Sequence, residues 1–84
     1  MYNLISFVAR GKIRRIVLYE LSEPHTPTEL SRILKTHRST ISRTILALQK
    51  KGLVKCLTPK EKMGRYYQIT SIGKKVSDKI KNEH

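Results

Sequence analysis

The 84-residue sequence predicts a small α+β fold with a three-helix core, a two-stranded β-hairpin and a C-terminal helix. Apolar residues recur at helical spacing in four segments, whereas residues 53–70 hold two short β-type runs around a polar loop. Pro27, Gly52 and Pro59 lie at or near the boundaries between these segments. We expect residues 1–84 to form one domain with a small core, because a chain of this length buries only about 60% of its unfolded surface.

Helix 1 is predicted over residues 3–22, with Gly11 as a potential break. Apolar side chains recur at helical spacing in its second half, at Ile13, Ile16, Val17 and Leu21. The whole segment carries more apolar residues than one helix face can bury. Either the N-terminus is loosely folded, or helix 1 forms a homodimer interface, to which helix 4 is a candidate further contributor. We favour the dimer, because a small domain seldom exposes a large apolar surface without a partner.

Helix 2 is predicted over residues 27–35 and has a well-marked start. Thr26 is a favoured N-cap, Pro27 suits the first helical position, and Glu29 completes a capping box. We expect this short helix to bury an apolar face made of Leu30, Ile33 and Leu34.

Helix 3 is predicted over residues 38–51, after a turn of about three residues. Its core stripe consists of Ile41, Ile45 and Leu48. Gly52 follows at the position where a left-handed residue commonly terminates a helix.

A hairpin over residues 53–70 and helix 4 over residues 71–82 complete the chain. The runs "LVKCL" and "YYQIT" are typical of strands, and the polar segment "TPKEKMGR" joins them. Helix 4 has apolar residues at helical spacing, at Ile72, Val76 and Ile80. Two short helices joined by a tight turn and followed by a hairpin with a basic loop predict a winged helix-turn-helix, in which the hairpin is the wing.

The charge of the chain favours a polyanionic partner. Eighteen Lys and Arg residues face six Asp and Glu residues, which gives a net charge of +12. Residues 38–65 hold eight of the basic residues and a single acidic one, Glu61. Nucleic acid is therefore the first candidate partner and an anionic membrane surface the second. Lysines elsewhere, as on helix 4, are expected to solvate the protein.

The outer face of helix 3 has the side chains that read base edges. When its core stripe points inward, Ser39 and Arg43 point outward, and Thr40 and Ser42 flank them. Arg pairs with guanine in two hydrogen bonds, and Ser or Thr can pair with several bases. Helix capping by the hydroxyl groups is the local alternative, and it explains one or two of them. The predicted DNA contacts are Thr28, Arg38, Ser39, Thr40, Ser42, Arg43, Lys50, Lys60, Lys62 and Arg65.

Other functions find little support in the sequence. The single cysteine, Cys56, excludes an internal disulfide, and the three histidines are too scattered to suggest a metal site. No phosphate-binding glycine loop or set of nucleophile and base is evident, so we expect neither an enzyme nor a cofactor. No apolar run reaches 18 residues, so we expect no membrane span and a cytoplasmic protein associated with the nucleoid.

The segment "TPTELSRILKTHRSTISRTILALQKKGLVK", followed by "GRYYQITSIGKKV", resembles winged helix-turn-helix transcriptional regulators of the ArsR and MarR type, especially small archaeal ones. The resemblance covers about residues 13–80. It implies a dimeric DNA-binding regulator in which residues 38–50 enter the major groove and the wing, residues 58–65, reaches a phosphate or the minor groove. Arg65 matches the usual basic residue of the wing. The cysteine-rich metal motif and the long extra helices of some relatives are absent, so the resemblance implies no metal or small-molecule effector.

Three functional hypotheses remain open at this point. The first is a sequence-specific, double-stranded DNA-binding transcriptional regulator. The second is an architectural protein that coats DNA without sequence preference, and the third is a winged-helix interaction module of a transcription or replication complex. The variety of side chains over residues 38–43 favours the first, because an architectural protein would need only lysines there.

Overall fold

A computed structural model describes residues 2–82 and contains five helices and one two-stranded antiparallel sheet. The helices are α1 (Tyr2–Ala9), α2 (Lys12–Glu20), α3 (Pro27–Leu34), α4 (Arg38–Lys50) and α5 (Ser71–Asn82). The strands are β1 (Val54–Cys56) and β2 (Tyr67–Ile69), which lie between α4 and α5 in the chain. The predicted α+β fold with a hairpin wing is confirmed. None of the helices within residues 2–82 is long and apolar enough to span a membrane.

The segment predicted as helix 1 is two helices rather than one. Gly11 has an extended backbone (φ −114°, ψ 116°) and separates α1 from α2. The Arg14 side chain holds this corner, because its Nη1 donates to the Phe7 carbonyl at 2.8 Å and its guanidinium lies 4.1 Å from the Phe7 ring centroid. The corner lets α1 fold back, so that Val8 and Val17 are both fully buried in one core.

The start of α3 has the predicted capping box. The Glu29 backbone N–H donates to Thr26 Oγ1 at 3.1 Å, and the Thr26 N–H donates to Glu29 Oε1 at 3.0 Å. The helix ends one residue before the predicted end, because Lys35 adopts a left-handed conformation (φ 52°). This residue starts the tight turn that sets α4 against α3.

One predicted core position of α3 is wrong. Leu30 is fully buried, but Ile33 is 51% exposed. The helix has only eight residues and packs mainly on α4, so it buries a narrow face that excludes Ile33. The buried hydrophobic residues form one cluster, which consists of Val8, Val17, Leu18, Leu21, Leu30, Ile41, Ile45, Leu48, Leu53, Val54, Tyr67, Ile69 and Val76.

The hairpin is joined to the helix-turn-helix by a bridge that the sequence did not predict. The two strands pair from Val54 with Ile69 to Cys56 with Tyr67, and are shorter than the predicted runs. On its other side, Tyr67 pairs with His25, just before α3, through backbone hydrogen bonds of 2.9 and 3.1 Å. The base of the wing is therefore fixed to the segment that leads into α3.

The junctions on either side of the sheet are closely packed. Gly52 has the predicted left-handed conformation (φ 77°) after α4. Thr70 Oγ1 donates to the Gly52 carbonyl at 2.7 Å and accepts from the Gly73 N–H at 3.0 Å, so Thr70 caps α5. A Cβ added at Gly73 would overlap the Leu53 carbonyl oxygen, which shows how closely α5 lies on the backbone that enters β1.

Candidate nucleic-acid interface

A groove of about 320 Å³ separates the start of α4 from the wing loop. We call this groove the cleft. It is lined by Pro27, Thr28, Arg38, Ser42, Lys62, Met63, Gly64, Arg65 and Tyr67. Five of the ten predicted contact residues therefore meet in one place, although they come from α3, α4 and the wing loop.

The other five predicted residues lie outside the cleft. Ser39, Thr40 and Arg43 continue along the first turns of α4, where Ser39 and Arg43 are exposed and Thr40 is half-buried. Lys50 is exposed at the opposite end of the helix, about 18 Å from Arg38 at the helical rise per residue. Lys60 is exposed earlier in the wing loop.

The hydroxyl groups at the start of α4 do not cap the helix. The N-cap residue is His37, and its side chain makes no capping hydrogen bond. Within residues 2–82, the hydroxyls of Ser39, Thr40 and Ser42 make no hydrogen bond to the protein. The local alternative from the sequence is therefore not observed, and the first N–H groups of α4 and these hydroxyls are available to a ligand.

The cations of the cleft have no carboxylate partner within the described residues. The one close contact between a basic and an acidic side chain found among residues 2–82 joins His25 Nδ1 and Glu29 Oε1 at 3.5 Å. No acidic side chain lines the cleft, which brings Arg38, Lys62 and Arg65 together. Such a concentration of unpaired positive charge beside a helix N-terminus attracts anions.

Hydrogen bonds give the wing loop a defined shape. The Tyr66 N–H donates to Thr58 Oγ1 at 3.0 Å, and the Glu61 N–H donates to the Thr58 carbonyl at 3.1 Å. Arg65 Nε donates to the Glu61 carbonyl, which fixes the arginine and leaves its two terminal nitrogens available. Gly64 has a left-handed backbone (φ 66°) in the turn between them.

Four cleft residues, Pro27, Met63, Gly64 and Tyr67, were not predicted as site residues. Met63 is 82% exposed and is the one large apolar side chain in a polar loop, a signal that was visible in the sequence. Pro27 and Tyr67 are brought to the cleft by the bridge from His25 to Tyr67, for which the sequence gives no local signal. Among residues 2–82, no three residues of the metal-binding types lie close enough together to hold an ion.

Comparisons with known proteins agree with this architecture. One family, described as the HVO_A0261 N-terminal domain, matches residues 2–83. No curated protein sequence matches the chain. A MarR family transcription regulator of known structure superposes with a TM-score of 0.77 and 24% identity, over 98% of this chain and 61% of its own.

Two further structures extend the comparison. The oxidized form of MarR from E. coli gives a TM-score of 0.74 and 21% identity, over 94% of this chain and 60% of its own. A protein from the thermoacidophilic archaeon Sulfolobus tokodaii gives a TM-score of 0.65 and 26% identity, over 86% of this chain and 74% of its own. The predicted MarR-type winged-helix resemblance is confirmed. The chain spans about 60% of the length of the MarR family regulator described first and of MarR from E. coli.

Proposed function

The chain belongs to the family of the HVO_A0261 N-terminal domain, and we propose that it is a sequence-specific transcription regulator that binds double-stranded DNA. In this proposal the first turns of α4 enter the major groove, and the wing contacts the adjacent backbone or minor groove. The observation that carries the proposal is the cleft, where uncapped hydroxyls and unpaired cations from three elements converge. The proposed function requires no cofactor, metal ion or membrane.

The outer face of α4 supports reading of base edges. Ser39 and Arg43 are one helical turn apart, and Arg43 Nε donates to the Ser39 carbonyl at 3.4 Å. This contact directs the arginine along the start of the helix while its terminal nitrogens stay available for the O6 and N7 atoms of a guanine. Lys50 and Lys60 suit phosphate contacts, which add affinity but no sequence information.

The distribution of residue types supports sequence preference over simple coating. An architectural protein needs positive charge, which α5 supplies as abundantly as α4 does. The first turns of α4 instead combine two arginines with three hydroxyl residues, a set that can distinguish base pairs by hydrogen bonding. An acidic protein surface would also satisfy the positive charge, but it is the weaker candidate because charge attraction alone gives no role to the hydroxyl groups at the start of α4.

We further propose a two-fold homodimer formed through α1 and α5, located in the cytoplasm on the nucleoid. The two helices pack against each other, and each keeps apolar side chains only partly buried, among them Leu4, Ile5 and Ile80. Ile72 on α5 is 45% exposed. A two-fold dimer would bind an inverted repeat with half-sites one helical turn apart, or a multiple of it. Sedimentation equilibrium would measure the mass directly.

Selection from a random-sequence duplex library at two salt concentrations tests the proposed function. We expect an inverted repeat to be enriched, and Arg43→Ala to lower affinity about 30-fold for that site and to relax the preference at particular base pairs. Lys75→Ala, which removes an exposed cation from α5, is the matched control and should leave the selected sequence unchanged. Uniform binding that simply falls with salt would favour the architectural function, and no binding to any duplex would favour a protein partner.

A further inference from the structure

We propose that the cleft is a clamp for a single phosphate of one DNA strand, held jointly by Arg38 from α4 and Arg65 from the wing. The proposal rests on the proposed function, since it concerns how the same surface holds DNA. It goes further by assigning two residues from different elements to one phosphate and by giving Met63 an apolar role beside it.

The geometry of B-DNA leads to this assignment. Neighbouring major and minor grooves are separated by one sugar–phosphate strand, and that strand must pass between a helix in the first groove and a wing in the second. The cleft is the space between α4 and the wing loop. A strand that passes through it meets Arg38 on one wall and Arg65 on the other.

The chemistry of the cleft fits a phosphodiester. Both arginines present planar donor groups that match phosphate oxygens in two hydrogen bonds. Arg65 is already fixed by its bond to the Glu61 carbonyl, so it loses little freedom when it binds. Thr28 and Ser42 place hydroxyl donors in the same cleft, and no carboxylate among the residues that line it competes for the arginines.

Met63 supplies a different kind of contact. Its side chain is 82% exposed, it lines the cleft, and it lies in the loop between Lys62 and Gly64. A sugar–phosphate strand is charged at its phosphates but apolar along the C–H face of its sugars. We assign Met63 to that apolar face, next to the clamped phosphate.

The salt dependence of binding counts the phosphates that the arginines neutralise. The slope of log K against log salt concentration changes by about 0.9 for each phosphate contact removed from duplex DNA. If Arg38 and Arg65 hold one phosphate, the double variant Arg38→Ala/Arg65→Ala changes the slope by about 0.9 per bound subunit. If they hold two separate phosphates, the change is about 1.8 per bound subunit, and the clamp is refuted.

The double variant Arg38→Ala/Lys50→Ala is the companion measurement. Its two residues lie about 18 Å apart on α4, too far to share a phosphate. Under the clamp it removes the Lys50 contact but leaves Arg65 on the clamped phosphate, so it should change the slope by about 0.9 per bound subunit, whereas about 1.8 would mean that Arg38 neutralises a phosphate of its own and would refute the clamp. All substituted side chains are exposed, and thermal melting of each variant should match that of the wild type. The measurement requires duplex binding but not a defined target sequence.

Two further measurements complete the test, one on a Met63 variant and one on competition by inorganic phosphate. Met63→Ala should weaken binding about threefold with no change in slope, because it removes an apolar contact; unchanged affinity would contradict its assigned role. Inorganic phosphate should compete with DNA no better than chloride at equal ionic strength, and stronger competition would assign the cleft to a free anion instead. Absence of all duplex binding by the wild type would refute the proposed function, whereas binding with a slope change of about 1.8 would refute the clamp alone.

Discussion

The two amphipathic helices α4 and α5 are nearly equal in length and both basic, but they differ in what surrounds their first turns. The helices have 13 and 12 residues, and α5 carries four lysines against three basic residues on α4. The start of α4 opens into the cleft beside the wing, whereas the start of α5 is enclosed by the backbone around Gly52 and Leu53. Charge alone would favour α5, whereas the proposed DNA interface lies at the start of α4.

The difference is clearest at the N-terminal caps. Thr70 caps α5 with its hydroxyl, and the same hydroxyl ties the helix to the end of α4. His37 precedes α4 without a side-chain cap, although hydroxyl residues follow directly. An uncapped helix start costs stability, since its N–H groups lack a partner in the protein. Under the proposed function, a DNA phosphate supplies the missing hydrogen-bond acceptor and offsets this loss of stability on binding.

The largest effect is expected where α5 lies on the backbone. Gly73→Ala places a Cβ against the Leu53 carbonyl and within 2.6 Å of Ile69 Cγ1, neither of which is the end of a flexible side chain. We expect a loss of about 3 kcal/mol in the free energy of unfolding, from overpacking. Urea titration followed by circular dichroism measures this value.

Gly52→Ala is the control for this prediction. Gly52 has a left-handed backbone but open space around it, so the substitution should cost only about 1 kcal/mol, from backbone strain. If both variants lose the same stability, then the position of α5 does not depend on close packing at Gly73, and the contrast with α4 weakens.

Local sequence signals predicted the parts of the fold that depend on neighbours in the chain. The capping box at Thr26, the left-handed Gly52 and the inward stripe of α4 each involve residues a few positions apart, and the structure has all three. Gly11 was recognised as a potential break, but the fold of α1 back onto α2 depends on Arg14 packing on Phe7, which no helical periodicity encodes.

Parts that depend on distant residues were not predictable in the same way. Ile33 fits an amphipathic helix, yet it is exposed because α3 is too short and too narrowly packed to bury it. The cleft exists because His25 pairs with Tyr67, 42 positions away, and so brings the wing beside α3 and α4. The residue types of the interface could be predicted from the sequence, but their convergence could not. Their contacts with DNA stay a prediction.

The second prediction adds a side-chain cap to the start of α4. His37→Asp would add a side-chain acceptor at the start of α4 and stabilise the fold by about 1 kcal/mol. It should also lower the affinity for duplex DNA about tenfold, because its carboxylate occupies the N–H groups and repels a phosphate. Thermal melting and fluorescence anisotropy measure the two effects on the same samples.

His37→Ser separates capping from charge. Serine provides a similar cap without a negative charge, so stability should rise by a similar amount, while affinity falls less than about threefold. An aspartate variant that binds DNA as tightly as the wild type would show that no phosphate approaches the start of α4.

The smallest effect is expected from the lysines of α5. Lys75→Ala/Lys79→Ala removes two exposed cations from a helix that has no part in the cleft. Association with DNA should slow modestly at low salt, because the overall positive field weakens, but equilibrium affinity at physiological salt should change less than about twofold. Stopped-flow anisotropy at two salt concentrations separates the two quantities. A tenfold loss of affinity at both salt concentrations would mean that α5 contacts the DNA itself. The proposal that α4 binds DNA while the equally basic α5 does not would then be refuted.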